Sequence, residues 1–360
     1  MSRVETATKN GIKGEPAKLF SLAFLSAFWT TMRPYLVFVS GAAGLCGLAF
    51  IPAPVTWRVV LAFIPLFLSY GLGQALTDCF QIDTDSISSP YRPLVKGIIS
   101  PKQVLPISLA GLVAGVLILG LLNHDIFLLG VLAVAGLLSY TFFKRRWWGG
   151  PAWNSWIMAL LPVIGRLTGG DIRLSQVFSR EVSDYPLFLF AVMAVFFGYA
   201  NFVVMGYLKD ISADRATGYQ TFPVVFGWKA TAIFSDILAV ATAVCTGLIV
   251  FYPVELPGWA LMALAAQSKT SHIILIYAWR LGCPIVFALS LGLSALAQIQ
   301  IHRIRDEARA HGPIANVVRV FLLSCLAIIL KMQPGWVWFL AIFYFAFELT
   351  LKSRPEKRQV

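Results

Sequence analysis

Residues 103–143 read QVLPISLAGLVAGVLILGLLNHDIFLLGVLAVAGLLSYTFF. Two apolar runs, 103–122 and 125–143, flank a short polar break at Asn123-His124. Each is about 20 residues long, the length at which an α-helix crosses a hydrocarbon layer of about 30 Å. Backbone polar groups in lipid must pair within the segment, so such runs are read as helices. A membrane barrel needs short alternating strands instead, and none is legible. Working outward, the same reading places further spans at 34–52, 57–77, 152–168, 186–207, 229–253 and 276–301. Residues 17–31 read as an interfacial amphipathic helix leading into Arg33-Pro34. The apolar stretch 316–350 is cut by Gln333-Pro334-Gly335, which makes it either one kinked span or a hairpin of two.

Composition agrees. The chain is 58% hydrophobic with a mean hydropathy of +0.76. Only 13% of its residues are charged, against about 25% in soluble domains. The net charge of +12 gathers in tails and alternate loops, which marks the cytoplasmic side of a membrane protein rather than a nucleic-acid surface. Basic loops hold Arg92, Lys96 and Lys102, then Lys144, Arg145 and Arg146, then Lys209, Arg215 and Lys229, then Arg303, Arg305 and Arg309. The C-terminal tail adds Lys352, Arg354, Lys357 and Arg358, so both termini are expected on the cytoplasmic side. An even number of crossings then separates the Arg303–Arg309 loop from the tail, which favours the hairpin and ten spans. None of the five cysteines pairs at metal-ligand spacing, so neither a zinc site nor a disulfide framework is expected. The expected organisation is a polar tail (1–16), a transmembrane domain (17–351) and a basic tail (352–360).

Three motifs end predicted spans on the basic side. The first is Thr77-Asp78-Cys79-Phe80-Gln81-Ile82-Asp83-Thr84-Asp85, followed by Pro90-Tyr91-Arg92-Pro93. If the helix continues here, Asp78 and Asp85 share a face, as do Thr77, Gln81 and Asp85. Carboxylates crowded at the lipid edge repel unless a cation joins them, and hard oxygen ligands suit Mg²⁺. The second is Lys209-Asp210-Ile211-Ser212-Ala213-Asp214-Arg215, then Gly218 and Thr221-Phe222-Pro223, with Asp210 and Asp214 one turn apart. The third is Tyr140-Thr141-Phe142-Phe143-Lys144-Arg145-Arg146, whose cations can neutralise diphosphate oxygens. Each has a plain structural alternative: a solvated acidic loop, a solvated helix face, and ordinary basic anchoring. Their pairing carries the weight, because two acidic clusters end spans four apart and each is followed by a basic residue and a proline turn. This reads as a weak internal repeat.

At these motifs the chain resembles the UbiA superfamily of intramembrane prenyltransferases over roughly residues 30–255. Asp78 and Asp85, the Pro90–Pro93 turn, Tyr140 and Lys144, and Asp210 and Asp214 fall on matching positions. So do Gly218, Thr221 and Pro223, and Arg33-Pro34 resembles the family's first helix start. Thr77 and Gln81 stand where the family usually has Asn and Asp, so the first metal site loses a carboxylate, and Asp83 is expected to compensate.

The resemblance implies an all-α bundle with a nine-helix core, here with a tenth span. It also implies transfer of a prenyl group from a prenyl diphosphate to an aromatic or other lipophilic acceptor. A membrane terpene cyclase on the same scaffold is the alternative. Asp78, Asp83, Asp85, Asp210 and Asp214 are the implied Mg²⁺ ligands, with Thr77 and Gln81 as neutral ones. Arg92, Tyr140, Lys144, Arg145 and Lys209 are the implied diphosphate contacts. Phe80, Tyr140, Phe142, Phe143 and Tyr207 lie near enough to face a cation, although packing is the plainer role for any one of them. Asn154 and Asn201 can orient an acceptor or simply bond between helices.

Overall fold

The structure is a computed structural model that describes residues 15–52, 54–170, 172–179, 184–253 and 278–354. The expected tails lie almost wholly outside these residues, as does the start of the span expected at 276. Among the described residues all regular structure is helical. Eight of the described helices are long and apolar enough to cross a membrane, or nine if one bent pair counts as a single span.

That pair is α1 (Leu22–Met32) and α2 (Val37–Leu48), joined through Arg33 and a turn at Pro34–Leu36 with a 48° bend. Leu22, Leu25 and Trp29 of α1 are exposed, as expected of a helix lying along a lipid interface. Next come α3 (Thr56–Asp78), the short α4 (Ile82–Ser88), α5 (Pro101–Leu122), α6 (Asp125–Lys144) and α7 (Gly150–Leu167). Then follow α8 (Tyr185–Tyr207), the short α9 (Ile211–Ala216) and α10 (Phe222–Val250). The last three are α11 (Cys283–Arg303), α12 (His311–Met332) and α13 (Val337–Lys352).

α12 is the central helix, with 89% of its apolar window buried against 28% in α5 and α6. It packs on α2, α8, α10 and α11. On the other side of α2, α7 approaches so closely that a Cβ on Gly47 would collide with the Pro162 carbonyl, and one on Gly165 with the Gly44 carbonyl. Small residues thus set the spacing of these two helices, as is common where lipid supplies no hydrophobic drive between them.

The helix of α3 does not continue to Asp85 as the spacing suggested. It stops at Asp78, and Gln81 breaks the direction at φ −122°, ψ 18° before α4 begins. The second motif breaks the same way, with Asp210 at φ −117°, ψ 10° before α9. In both, the residue at the break accepts from the amide four positions on: Asp85 N to Gln81 O at 2.9 Å, Asp214 N to Asp210 O at 2.8 Å. The repeat read from sequence is therefore a structural one. Its two short helices touch, with the Thr84 and Thr217 hydroxyls 3.2 Å apart.

α10 starts at Phe222 rather than 229, with Pro223 in its first turn and a kink at Gly227, whose φ of 78° suits glycine. At Gln333-Pro334 the chain reverses. Arg319 and Glu348 lie nearly equidistant from that break and form a two-pronged ion pair of 2.7 and 3.0 Å, which a continuous helix would forbid. Gln333 bonds the carbonyls of Ala49 and Ile51 at the far end of α2, so the hairpin turns at the end opposite the acidic motifs.

Candidate active site

Asp78 ends α3 with its side chain almost fully buried. Arg33 reaches both carboxylate oxygens, at 3.2 and 3.1 Å, and Gln74, one turn back, donates to one of them at 2.5 Å. Arg33 itself sits in the left-handed region at φ 53°, ψ 76°, which costs a non-glycine residue about 1 kcal/mol. Its bond to a buried carboxylate offsets that strain. Asp85, on α4, pairs with Arg92, which also lies 3.7 Å from Asp78. The Pro90–Pro93 turn folds Arg92 back over α4, through an Arg92 amide bond to the Ser89 carbonyl of 3.1 Å. Burial holds the Asp85 carboxyl above its usual range, even with Arg92 pulling the other way. Such pairs are kept at a desolvation cost, and removing one partner strands the other charge.

Lys144 closes α6, where the helix dipole favours a cation. Its ammonium donates to the Gln81 carbonyl oxygen at 2.7 Å and lies 5.8 and 5.4 Å from the Tyr207 and Tyr219 ring centres. Across from it, Asp214 is fully buried. Thr221 donates to its Oδ2 at 3.0 Å, while its Oδ1 is buried with no hydrogen-bond partner. Burial pushes the Asp214 carboxyl up to about 6, against the pull of Lys144. Burial likewise brings the Lys209 ammonium down to about 8, against the pull of Asp210.

Apart from Asp214, which is buried outside the lining, these acids and bases form the charged head of a cavity of about 510 Å³. Arg33, Asp78, Asp85, Arg92, Lys144, Lys209 and Asp210 line it, together with Thr77 and Gln81. Below the head lies a belt of Tyr70, Tyr140, Asn154, Tyr199 and Tyr207. Tyr199 donates to Tyr70 at 3.2 Å, Asn154 to Tyr199 at 3.3 Å, and the Tyr140 and Tyr207 hydroxyls are 3.1 Å apart. Deeper still the lining is aliphatic and ends at Leu119, Ile126 and Ile164.

Three expected site residues do not line the cavity: Asp83, Arg145 and Asp214, the last of them fully buried. Asp83 projects from the outer face of α4, where it pairs with Arg145 at 3.4 Å and accepts from Tyr219 at 3.4 Å. Both partners of that ion pair are about half exposed. The physical reason is the helix itself: Asp83 and Asp85 are two residues apart and cannot face one way on α4. Phe142 is exposed beside Arg146, and Phe143 stacks on Trp153, so neither faces the head. Thr77 lines the cavity but donates its hydroxyl to the Gln74 carbonyl. The Gln81 oxygen is taken by Lys144. Asn201 bonds Ser235 on the neighbouring helix at 2.5 Å, the plainer of its two expected roles.

Sequence reasoning missed Gln74, Tyr70, Tyr199 and the ion-pair role of Arg33. Only Arg33 carried a signal, as a lone charge at the mouth of an apolar span. Among the described residues no three Asp, Glu, His or Cys side chains gather closely enough to hold a metal ion alone. Arginines already occupy Asp78 and Asp85.

A bundle that opens a head of paired acids and bases into a tyrosine belt and an aliphatic shaft defines an intramembrane enzyme for molecules with an anionic head and an apolar tail. The chain belongs to the UbiA prenyltransferase family, whose profile matches residues 35–281. It is thus a membrane prenyltransferase that takes a prenyl diphosphate as donor. It is similar to a digeranylgeranylglyceryl phosphate synthase from Thermococcus kodakarensis, with 27% identity over 62% of this chain and 76% of that one. In fold it resembles a UbiA homolog from Aeropyrum pernix, with a TM-score of 0.61 and 20% identity over 82% of this chain and 98% of that one. A UbiA homolog from Archaeoglobus fulgidus bound to DMAPP and Mg²⁺ shares the fold at a TM-score of 0.54, with 18% identity over 84% and 98%.

Proposed function

We propose that this enzyme uses Mg²⁺ to transfer the prenyl group of a prenyl diphosphate to a lipophilic acceptor that carries a polar group, from an active site on the cytoplasmic face. The observation that carries the reading is the charge pattern of the cavity. Its head sets Asp78, Asp85 and Asp210 against Arg33, Arg92, Lys144 and Lys209, and Asp214 is buried outside the lining, where it feels the charge of Lys144. A diphosphate entering this near-neutral head brings an excess of negative charge, which a divalent cation offsets. The donor set fits that ion: all four carboxylates are hard oxygen ligands, and the buried Oδ1 of Asp214 lacks a partner. Mg²⁺ typically completes its shell with substrate phosphate and water, which suits acids that form no metal cage of their own. Asp78, Asp85, Asp210 and Asp214 would hold it, and bound there it would supply Lewis-acid stabilisation of the leaving diphosphate.

The chain's own groups do the rest. Lys144, Arg92 and Lys209 hold the diphosphate oxygens as the C1–O bond of the donor breaks and negative charge grows on the leaving group. The aliphatic shaft excludes water from the allylic cation left behind, and the electron-rich faces of Tyr140 and Tyr207 lie beside its path. The acceptor nucleophile forms the new bond to C1, and its proton passes to the released diphosphate, the base that the step itself generates. Asn154 and Tyr199, at the boundary between head and shaft, can orient the acceptor's polar group. The related archaeal enzymes are named for making a glyceryl phosphate lipid, so a phosphate-bearing lipid joins aromatic compounds as an acceptor class.

The test is diphosphate release by purified protein from labelled prenyl diphosphates with Mg²⁺, with and without acceptors. Release that depends on an added acceptor is expected. Release with a cyclic hydrocarbon product and no acceptor would make the enzyme a cyclase.

A further inference from the structure

One contact reaches the second acidic motif from outside the region 35–281 that matches the family. Glu307 lies in the connection between α11 and α12, in the turn Glu307–Arg309. Its carboxylate accepts from the Ser212 amide at 3.2 and 3.1 Å and from the Ser212 hydroxyl at 2.5 Å. Ser212 is the second residue of α9, a helix of six residues. A helix so short has no stability of its own, and its first amides lack internal partners. The residue placed to cap it is Asp210, an acid type well suited to that role. Yet Asp210 makes no side-chain capping bond and lines the cavity instead.

We propose that Glu307 is a positioning residue that caps α9 from across the structure and so releases Asp210 to the cavity head. A carboxylate at this helix start satisfies the amide and meets the positive end of the helix dipole. The helix end and the connection that present it are pinned in turn: Trp228 donates to the Ile301 carbonyl near the end of α11 at 2.9 Å, and in the connection Asp306 accepts from the Ala308 amide at 2.9 Å. Without Glu307, Asp210 becomes the nearest acceptor for the Ser212 amide and is drawn off the head. This inference rests on the reading of Asp210 as a Mg²⁺–diphosphate ligand.

The experiment compares Glu307→Ala and Glu307→Gln in the full-length protein. Glu307→Ala should lower kcat/KM by about 10-fold and raise the Mg²⁺ concentration for half-maximal rate, the size of effect expected from a lost cap. Its Tm should hardly change. Glu307→Gln keeps the accepting oxygen and should restore both quantities to within about threefold of wild type. Hydrogen exchange adds a readout that needs no turnover: the Ser212 amide should exchange faster in Glu307→Ala and not in Glu307→Gln. An unchanged Mg²⁺ midpoint in Glu307→Ala overturns the proposal, as does equal impairment of both variants or unaltered Ser212 exchange. Failure of the wild type to release diphosphate from any donor would instead overturn the Mg²⁺–diphosphate reading, and the exchange comparison would still decide whether Glu307 caps α9.

Discussion

The Lys144 ammonium donates to the Gln81 carbonyl oxygen over 2.7 Å. A neutral acceptor aims the lysine without cancelling its charge, so in the proposed mechanism the full charge remains for a diphosphate oxygen. This changes what is expected of Gln81. From sequence alone it is a weakened metal ligand, and Gln81→Asp should lower the Mg²⁺ requirement. With its oxygen engaged by Lys144, Gln81→Asp should instead form an ion pair that withholds the lysine. The expected result is a donor KM raised by about 10-fold at saturating Mg²⁺, the scale of one charge-assisted bond. A lower Mg²⁺ midpoint with an unchanged donor KM would return Gln81 to the metal site. Asp214 is charged only above about 6 and Lys209 only below about 8. If both charged forms are needed, kcat/KM should fall on the acid side near the first value and on the alkaline side near the second. Asp214→Asn should abolish the acid limb and cost at least about 10²-fold in rate, as loss of a transition-state contact does. A pH–rate profile of wild type and variant checks both statements, and an acid limb that survives in Asp214→Asn would exclude Asp214 as its source.

At the scale of elements, each acidic motif breaks its helix before its last acid, at Gln81 and at Asp210. A straight continuation of α3 would carry Asp85 about 10 Å along the helix from Asp78, at 1.5 Å per residue. The break at Gln81 lets α4 turn, so that Arg92 reaches both acids. The hairpin of α12 and α13 is held by the Arg319–Glu348 pair, less than a quarter exposed, and by Tyr344, which donates to Glu348 at 3.1 Å. Arg319→Leu leaves Glu348 without its cation and should destabilise the fold by about 2 kcal/mol, the usual value for a hydrogen bond to a charged group. Thermal unfolding in detergent measures it, and an unchanged Tm would show that the pair does not hold the hairpin.

The whole molecule decides how long a donor it holds. The cavity runs along α6 from Lys144 to Ile126, which is about 27 Å at 1.5 Å per residue. In the proposed mechanism one helical turn of that depth, about 5 Å, lies beside the diphosphate. An extended chain advances about 1.2 Å per bond, so an isoprene unit of four bonds takes about 5 Å. On that placement the shaft would accommodate about four units. Ala133 lines it about 16 Å from Lys144. Ala133→Phe should block the lower half and shift the ratio of kcat/KM for four-unit over two-unit donors by on the order of 10-fold toward the shorter. Competition between labelled donors of two, four and eight units reads this directly. Equal use of the eight-unit donor would mean that the tail leaves sideways into lipid and that the floor at Ile126 does not measure it.

Much of this was legible in the chain itself. Apolar runs of membrane length fix helices whatever surrounds them, because lipid offers no partner to an open backbone. The Gln333-Pro334-Gly335 break marked where the chain could reverse, and the paired motifs with their proline turns foretold two acidic helix ends of one design. What the sequence left open depends on direction rather than residue type. Asp83 and Asp85 read alike, yet a helix turned through about 200° over two residues sends one to solvent and the other to Arg92. Gln81 reads as a poor ligand until Lys144, far along the chain, lies against it. Glu307 reads as one more charge in a loop until the bundle carries α9 beneath it. Such roles come from pairs joined only when helices pack, and local pattern cannot fix the distance between residues that are neighbours solely in the folded protein.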